Sequence, residues 1–411
     1  MKRVFGFAAL FTLAELLLCL LLSPGTGTPP EKYLRVPLPP GWDQSLGQDN
    51  PVLFRYIRLS NWDSFHYFSG AKNGYHAPEG EWTRDDVNGY KIEFSFLPAF
   101  PLFSKALSAL TTLPLEIALP LTSQVFAFLF YVFFFLILER VCLLPEETTL
   151  MVMGLFSVTP GAFYVVTAYS ESIFLCSIAG MILFSELWVQ SQRFCDWFLA
   201  GIFAFIATWS RMLGVVLGLF PFFIAFRNGF LLKKRIGALL LAGFAGIGTL
   251  SYLIFCQIQS GHWDAYFRLA SVGWDMHPMY LRALNPLLYI PRPIFEEGES
   301  SLQRTILLLC LVALFGTLWK DSDRKVRLSY YVTGLALFYL TVAGKADMGL
   351  QGMTRYALPV FFLAIIPMTM VFRDRIIELL RPRKAVFAFA FFLFGFECFY
   401  CFRYMHGLWV S

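Results

Sequence analysis

Charge is scarce in this chain. Asp, Glu, Lys and Arg together make up 15% of its 411 residues, against roughly 25% in a soluble globular domain. Hydrophobic residues reach 57%, 46 residues are Phe, and the mean hydropathy is +0.60. That balance excludes a protein solvated mainly by water and makes lipid its principal solvent. The five His residues (66, 76, 262, 277, 406) include no His-x-x-x-His spacing, so a zinc site is not expected and no metal is assigned. Asn61, Asn73, Asn88, Asn228 and Asn285 all fail the Asn-x-Ser/Thr pattern, which leaves no acceptor for N-glycosylation. No internal repeat signals the inverted halves common in transporters. The eight Cys residues mostly lie inside apolar runs and read as small apolar residues, not as a disulfide framework or a metal site. The net charge is +5, but the basic clusters flank apolar runs, where they set topology, so nucleic-acid binding has no support.

What the chain does have is long apolar runs. They predict an all-α polytopic membrane protein of about eleven spans, near 4–22, 121–143, 148–166, 172–188, 197–210, 212–226, 236–258, 304–319, 328–343, 356–372 and 385–402. The first, after Met1-Lys2-Arg3, is longer than the apolar core of a signal peptide and is expected to stay as an anchor. The pair around Arg211 is short enough to be one kinked or re-entrant unit. Lys2, Arg3, Arg227, Lys233, Lys234, Arg235, Lys320, Arg324, Lys325, Arg327, Arg373, Arg375, Arg381, Arg383 and Lys384 fall in loops on one side. The short loops of the other side hold little beyond Arg211, Lys345 and Arg355. Positive charge stays in the cytosol, so the long loops 23–120 and 259–303 are expected on the exoplasmic face of a single domain, 1–411.

Those loops carry the polar chemistry. Residues 23–51 are rich in Pro and Gly and read as irregular. In "FLPAFPLFSKALSAL", Phe100, Phe103, Leu107 and Leu110 share one helical face, which fits a helix lying in the membrane interface. "HWDAYFRLASVGWDMHP" (262–278), which opens on His262, has the same aromatic, semi-polar character. Two such segments flanking an exoplasmic cleft either suit a lipid-linked substrate or merely cover the bundle.

Asp63, in "RLSNWDSFHYFSGAKNGY", is the sharpest candidate residue. In an aromatic setting at the membrane edge, desolvation is expected to raise its pKa and strengthen it as a base; the alternative is a helix N-cap. Glu171 in "VTAYSESIF" has almost no room for a solvated loop, so it faces a cavity or a partner, within reach of Tyr169. Arg211 in "ATWSRMLG" and Arg355 in "GMTRYALP" are shaped for bidentate phosphate binding, or snorkel, or pair with Glu171. Asp321-Ser322-Asp323 matches a loose metal-binding Asp-x-Asp but reads as a solvated turn in a basic loop. "GFAGIG" (243–248) lies inside a span, where small residues let helices approach.

Four blocks in order carry a family resemblance: "NWDSFHYFSGAKNGY", "EFSFLPAFPLF", "FSVTPGAFYVVTAYSESIF" and "TRYALP". With "SRMLG" at 210–214, they resemble the PIG-V family of GPI mannosyltransferase II, within the GT-C glycosyltransferases. The likeness spans most of the chain; Leu97 stands where the family's Phe-Phe-Pro pattern has Phe. The resemblance implies a GT-C-like fold and an inverting, metal-independent transfer of a hexose, mannose above all, from a polyprenyl phosphate to an exoplasmic glycolipid or glycan. It carries the catalytic carboxylate onto Asp63. Arg211 and Arg355, then His66 and Lys72, are the candidates to hold the donor phosphate. Glu171 and Tyr169 line the sugar or acceptor side, and His262 is a further substrate-side candidate. No cofactor is expected beyond the lipid-linked sugar, which is a co-substrate, and an accessory membrane subunit is a possible partner. The missing sequon points to a bacterial inner membrane with a periplasmic active site; the alternative is the endoplasmic reticulum with a luminal one. Two rival functions stand beside this: a lipid or glycolipid transporter, and a non-catalytic subunit of a membrane glycosylation complex.

Overall fold

The computed structural model describes residues 2–408 except 25–37, 44, 48, 291–298, 347–349 and 351. The described residues are helical, with no strand among them. Much of the expected irregular stretch 23–51 and part of 259–303 lie outside them.

Eight helices are long and apolar enough to cross a membrane, so the chain is an integral membrane protein. They are α1 (Lys2–Leu22), α6 (Leu115–Leu136, running on as a π-turn through Ile137–Val141), α8 (Glu171–Ser191), α11 (Leu232–Ser260), α14 (Glu299–Lys320), α15 (Arg324–Lys345), α16 (Met353–Val371) and α18 (Arg383–Met405). Their outward faces are apolar: Leu10, Leu13 and Leu17 on α1, Ile247, Leu250 and Ile254 on α11, and Phe387, Phe391 and Phe392 on α18 are all exposed. A soluble bundle rarely leaves such a surface bare, and hydrocarbon is its natural solvent. Helix α8 is the inner post, buried along most of its length and packed against α6 and against α9 (Phe194–Ser210).

Three of the eleven expected spans are shorter than a bilayer. Run 148–166 becomes α7 (Glu146–Ser157) followed by a 3-10 turn at Ala162–Val165, because Pro160-Gly161 breaks it. Helix α9 stops at Ser210, Arg211 is extended (φ −151°, ψ 137°), and the chain resumes as a 3-10 segment, Met212–Gly218, and α10 (Leu219–Ile224). That is the kinked unit expected around Arg211. Within "GFAGIG" only Gly248 lies at a close approach: a Cβ there would stand 3.2 Å from the Phe205 carbonyl of α9, while Gly243 and Gly246 face open space.

Between α1 and α6 the chain forms a cap of small helices: α2 (Pro51–Ile57), α3 (Asp63–Asn73), α4 (Arg84–Asn88) and α5 (Ala99–Thr111). Helix α5 lies on α6 and α3, but its apolar face is divided. Phe100 points into the bundle, 5.0 Å from the Tyr67 ring, whereas Leu102, Phe103 and Leu110 face outward. The second loop supplies α12 (Ala265–Trp274) and α13 (Tyr280–Ala283). Ala265 and Leu269 of α12 are buried while Trp263 and Phe267 are exposed.

At the far end of the bundle, Arg3 lies 3.7 Å from Glu146, and Arg383 is ion-paired with Glu147. Two charged groups there are buried, and the second differs from the expected solvated turn. Arg227 is buried and grips Glu186 with both terminal nitrogens, at 2.8 and 2.6 Å. Asp321 is also buried, held by Arg327 at 2.5 Å and by the Tyr331 hydroxyl at 2.8 Å. It ties α14 to α15 and is no solvated turn, since α15 starts only three residues later and folds its first turn over it.

Candidate active site

The Asp63 end of α3 begins with a strained residue. Trp62 caps the helix at φ 55°, ψ −115° and gives it no side-chain hydrogen bond. A bulky residue there costs on the order of 1–3 kcal/mol and persists only where its surroundings hold it. Here they do. Asn61 Nδ2 donates to the carbonyls of Arg58 (2.9 Å) and Tyr404 (3.0 Å), and the Tyr404 hydroxyl donates to the Leu59 carbonyl (3.0 Å). The Tyr169 hydroxyl donates to the Asn61 carbonyl (3.0 Å), and Ala168 N–H to the Leu59 carbonyl (3.0 Å). Asp63 is therefore the first residue of the helix and not its cap, so its carboxylate is free for a distant partner.

That partner is Arg355. Its Nη1 donates to Asp63 Oδ2 at 2.8 Å and its Nη2 to the Tyr356 hydroxyl at 2.5 Å, while its Nε is ion-paired with Glu171 Oε1 at 2.9 Å. The guanidinium lies 4.8 Å from the Tyr169 ring centroid and 4.6 Å from that of Tyr356. Arg211 completes the group by donating to Glu171 Oε1, with its guanidinium 5.0 Å from the Tyr356 ring. Four charged side chains from four separate elements meet here: the first residues of α3 and α8, the residue after α9, and the first turn of α16. Glu171 Oε2 is buried with no hydrogen-bond partner among the described residues. Asp63 keeps 21% of its side chain exposed, against 1% for Glu171, so Asp63 is the more accessible of the two carboxylates.

The expected rise in the Asp63 pKa is corrected. Burial pushes it up, but the charge and hydrogen bond of Arg355, helped by His66 and Lys345, hold the carboxyl below its ordinary value. Asp63 is thus ionised at neutral pH while Arg355 faces it.

His66, one turn along α3, sits beside the cluster in an aromatic box. Its ring stacks on Phe96 at 4.4 Å, with Trp274 of α12 at 5.8 Å. Its Nδ1 is 2.7 Å from Glu93 Oε2, and burial pushes the Glu93 carboxyl up. Tyr67 joins the cap to α8 through a 2.8 Å hydrogen bond from its hydroxyl to Ser170 Oγ.

The structure thus brings together Asp63, Tyr169, Glu171, Arg211 and Arg355, with His66 adjacent. Two expected site residues lie elsewhere. Lys72 is nine residues beyond Asp63, about 14 Å away along the helix axis, and lines a separate pocket with Lys105 and Glu116. His262 packs its ring on Trp82 at 5.7 Å, in the outer layer of the cap.

Four residues of the site escaped the sequence reading. Lys345, at the end of α15, holds its ammonium 4.6 Å from the Tyr356 ring; its signal was visible, a lone cation at the end of a span. Tyr356 follows Arg355 directly and binds it. Glu93 and Tyr404 had no local signal, because only the folded chain brings them to His66 and Asn61. Among the described residues no group of three or more His, Cys, Asp or Glu is placed to hold a metal ion.

Among solved structures, the chain is similar to an archaeal oligosaccharyltransferase, AglB from Archaeoglobus fulgidus, in complex with an inhibitory peptide and a dolichol-phosphate. The identity is 13% and the TM-score 0.46, over 99% of this chain and 55% of that one. The chain spans about half the length of that protein. No family model matches the chain, and no curated protein matches it. The function is therefore argued from the chain's own residues.

Proposed function

We propose that this protein is an inverting membrane glycosyltransferase of GT-C type that moves a hexose, mannose by the PIG-V resemblance, from a polyprenyl phosphate to a glycolipid or glycan hydroxyl. The observation that carries the reading is the Asp63–Arg355 pair: one reachable carboxylate beside cations, at one end of a bundle of apolar spans.

One carboxylate is what the chemistry asks for. The acceptor oxygen attacks the anomeric carbon and gives its proton to Asp63, while the bond from that carbon to the phosphate oxygen breaks on the opposite face. Phosphate leaves readily, so no second carboxyl is needed to protonate it. It needs positive charge around it, which Arg211, Arg355 and Lys345 supply in a partly desolvated site. Three cations against two carboxylates leave the cluster one positive charge in excess, the right sign for a phosphate. An arriving phosphate competes for Arg355, loosens its hold on Asp63, and so frees the base when the donor is in place.

The test supplies radiolabelled polyprenyl-phosphate mannose to membranes holding the wild-type protein or Asp63→Asn. The wild type transfers label to an acceptor, and the variant binds donor but loses transfer by about a hundredfold or more. A carrier of lipids would move its cargo equally well with Asn at 63. A non-catalytic subunit would transfer nothing, once purified, until its partner is added. Either result overturns the proposal.

A further inference from the structure

On the same end of the bundle, separate from the Asp63 cluster, is a pocket of about 400 Å³ lined by Lys72, Lys105, Glu116, Asp43, Gly41 and Ser108. That volume is in the range of small-ligand pockets. Its two acids are engaged: Glu116 Oε1 accepts the Asp43 N–H at 2.9 Å, and Asp43 Oδ1 accepts from the Ser45 N–H (2.9 Å) and hydroxyl (2.7 Å). Neither lysine makes an ion pair or a side-chain hydrogen bond among the described residues, and both are exposed. The lining therefore offers two free ammonium groups for a phosphate and, in the same pocket, the second oxygens of Glu116 and Asp43 for a cation. An inorganic anion satisfies only half of that set.

The pocket also lies where headgroups lie. Glu116 is in the first turn of the membrane span α6, and Lys105 and Ser108 are on α5. Leu102, Ala106, Ala109 and Leu110 of α5 form an exposed apolar stripe next to the edge that carries Lys105. A molecule with its polar end in the pocket has a bare hydrocarbon track beside it.

We propose that this pocket binds the zwitterionic headgroup of a membrane aminophospholipid, its phosphate on Lys72 and Lys105 and its ammonium toward Glu116, with the acyl chain along the outer stripe of α5. The site is independent of the Asp63 reading and is read out without sugar transfer.

The experiment measures lipid binding to the purified full-length protein by native mass spectrometry, with phosphatidylethanolamine, phosphatidylglycerol and soluble phosphoethanolamine as separate probes. Wild type is expected to prefer phosphatidylethanolamine. Lys72→Gln with Lys105→Gln should weaken it about tenfold, the scale of losing charge-assisted contacts. Glu116→Gln keeps an oxygen for the Asp43 N–H and should abolish the preference over phosphatidylglycerol. Both lysines are exposed, so the double variant should unfold at the wild-type temperature. Unchanged phosphatidylethanolamine binding in that variant, or phosphatidylglycerol bound equally well by wild type, overturns the assignment. So does phosphoethanolamine binding as tightly as the lipid, since it removes the acyl track from the site.

Discussion

Asp63 and Arg355 lie 292 positions apart in sequence and 2.8 Å apart in space, and the properties of each depend on the other. With its native pKa held below the ordinary 3.8, Asp63 contributes stability that is fully present above that value. The contribution is lost as pH falls through the depressed native pKa. Thermal unfolding of wild type and Asp63→Asn should therefore differ at pH 7, begin to approach each other only below the ordinary value of 3.8, and converge once the pH is beneath the depressed native pKa. For the same reason the pH–rate profile should show no acid limb from Asp63 between pH 5 and 7; a limb there that vanishes in Asp63→Glu would contradict an ionised base. Arg355 touches Asp63, Glu171 and Tyr356 at once through its planar fork, which a single ammonium cannot match. Arg355→Lys should lower transfer about tenfold or more and raise the KM for the donor, while Arg355→Gln should fall further because Glu171 is left buried beside one cation fewer.

At the scale of elements, the site depends on how the turn after α7 meets α16. Gly161 has φ +94°, and a Cβ there would stand 3.0 Å from the Thr354 carbonyl, one residue before Arg355. The same turn is pinned by Glu397 of α18, whose oxygens accept the N–H groups of Gly161 (2.7 Å) and Phe163 (2.6 Å). Gly161→Ala should shift the start of α16 and cut transfer by an order of magnitude or more, with the spans intact; wild-type activity would show that the approach is not needed. Glu397→Ala leaves two buried N–H groups without an acceptor, at a cost of about 1–3 kcal/mol each, and should lower the unfolding temperature. Helix α18 is also held to α1, where the Cys401 thiol lies 3.5 Å from Cys19. Cys398 and Cys401 share one helix in "CFYC"; Cys401 is buried and Cys398 half-buried.

The whole molecule is a bundle with two unlike ends. Asp63, Glu171, Arg211, Lys345 and Arg355 gather at one, while Arg3, Glu146, Glu147 and Arg383 gather at the other. By the positive-inside rule the second end is the one expected in the cytosol. A cysteine placed at Glu79, in the cap, should then be labelled by an impermeant reagent from the exoplasmic side only, and one at Ser322 only after the membrane is opened; the reverse pattern would invert the topology. At that second end the buried Glu186–Arg227–Tyr330 network joins α8, the α10–α11 link and α15. Removing one partner of such a pair leaves an uncompensated charge, so Arg227→Ala should destabilise by about 3–5 kcal/mol, far more than Lys233→Ala on the exposed start of α11.

By itself the sequence determined the medium, most of the spans and the residues from which the chemistry is proposed. Apolar runs must lie in lipid and must be helical there, because a backbone in hydrocarbon has to satisfy its own hydrogen bonds. That requirement is local, so eight of the eleven expected runs lie on helices long enough to cross, while the run broken at Pro160-Gly161 and the pair broken at Arg211 do not. Charges out of place in such runs were equally legible, which is why Asp63, Glu171, Arg211 and Arg355 stood out before any fold was known. Only the tertiary structure decided which of them meet. It joined these four, moved Lys72 and His262 away from them, brought in Lys345 and Tyr356, and turned the expected rise in the Asp63 pKa into a fall. Those outcomes rest on distances between residues far apart in the chain, and Coulomb and hydrogen-bond energies depend on separation in space, which no local pattern encodes.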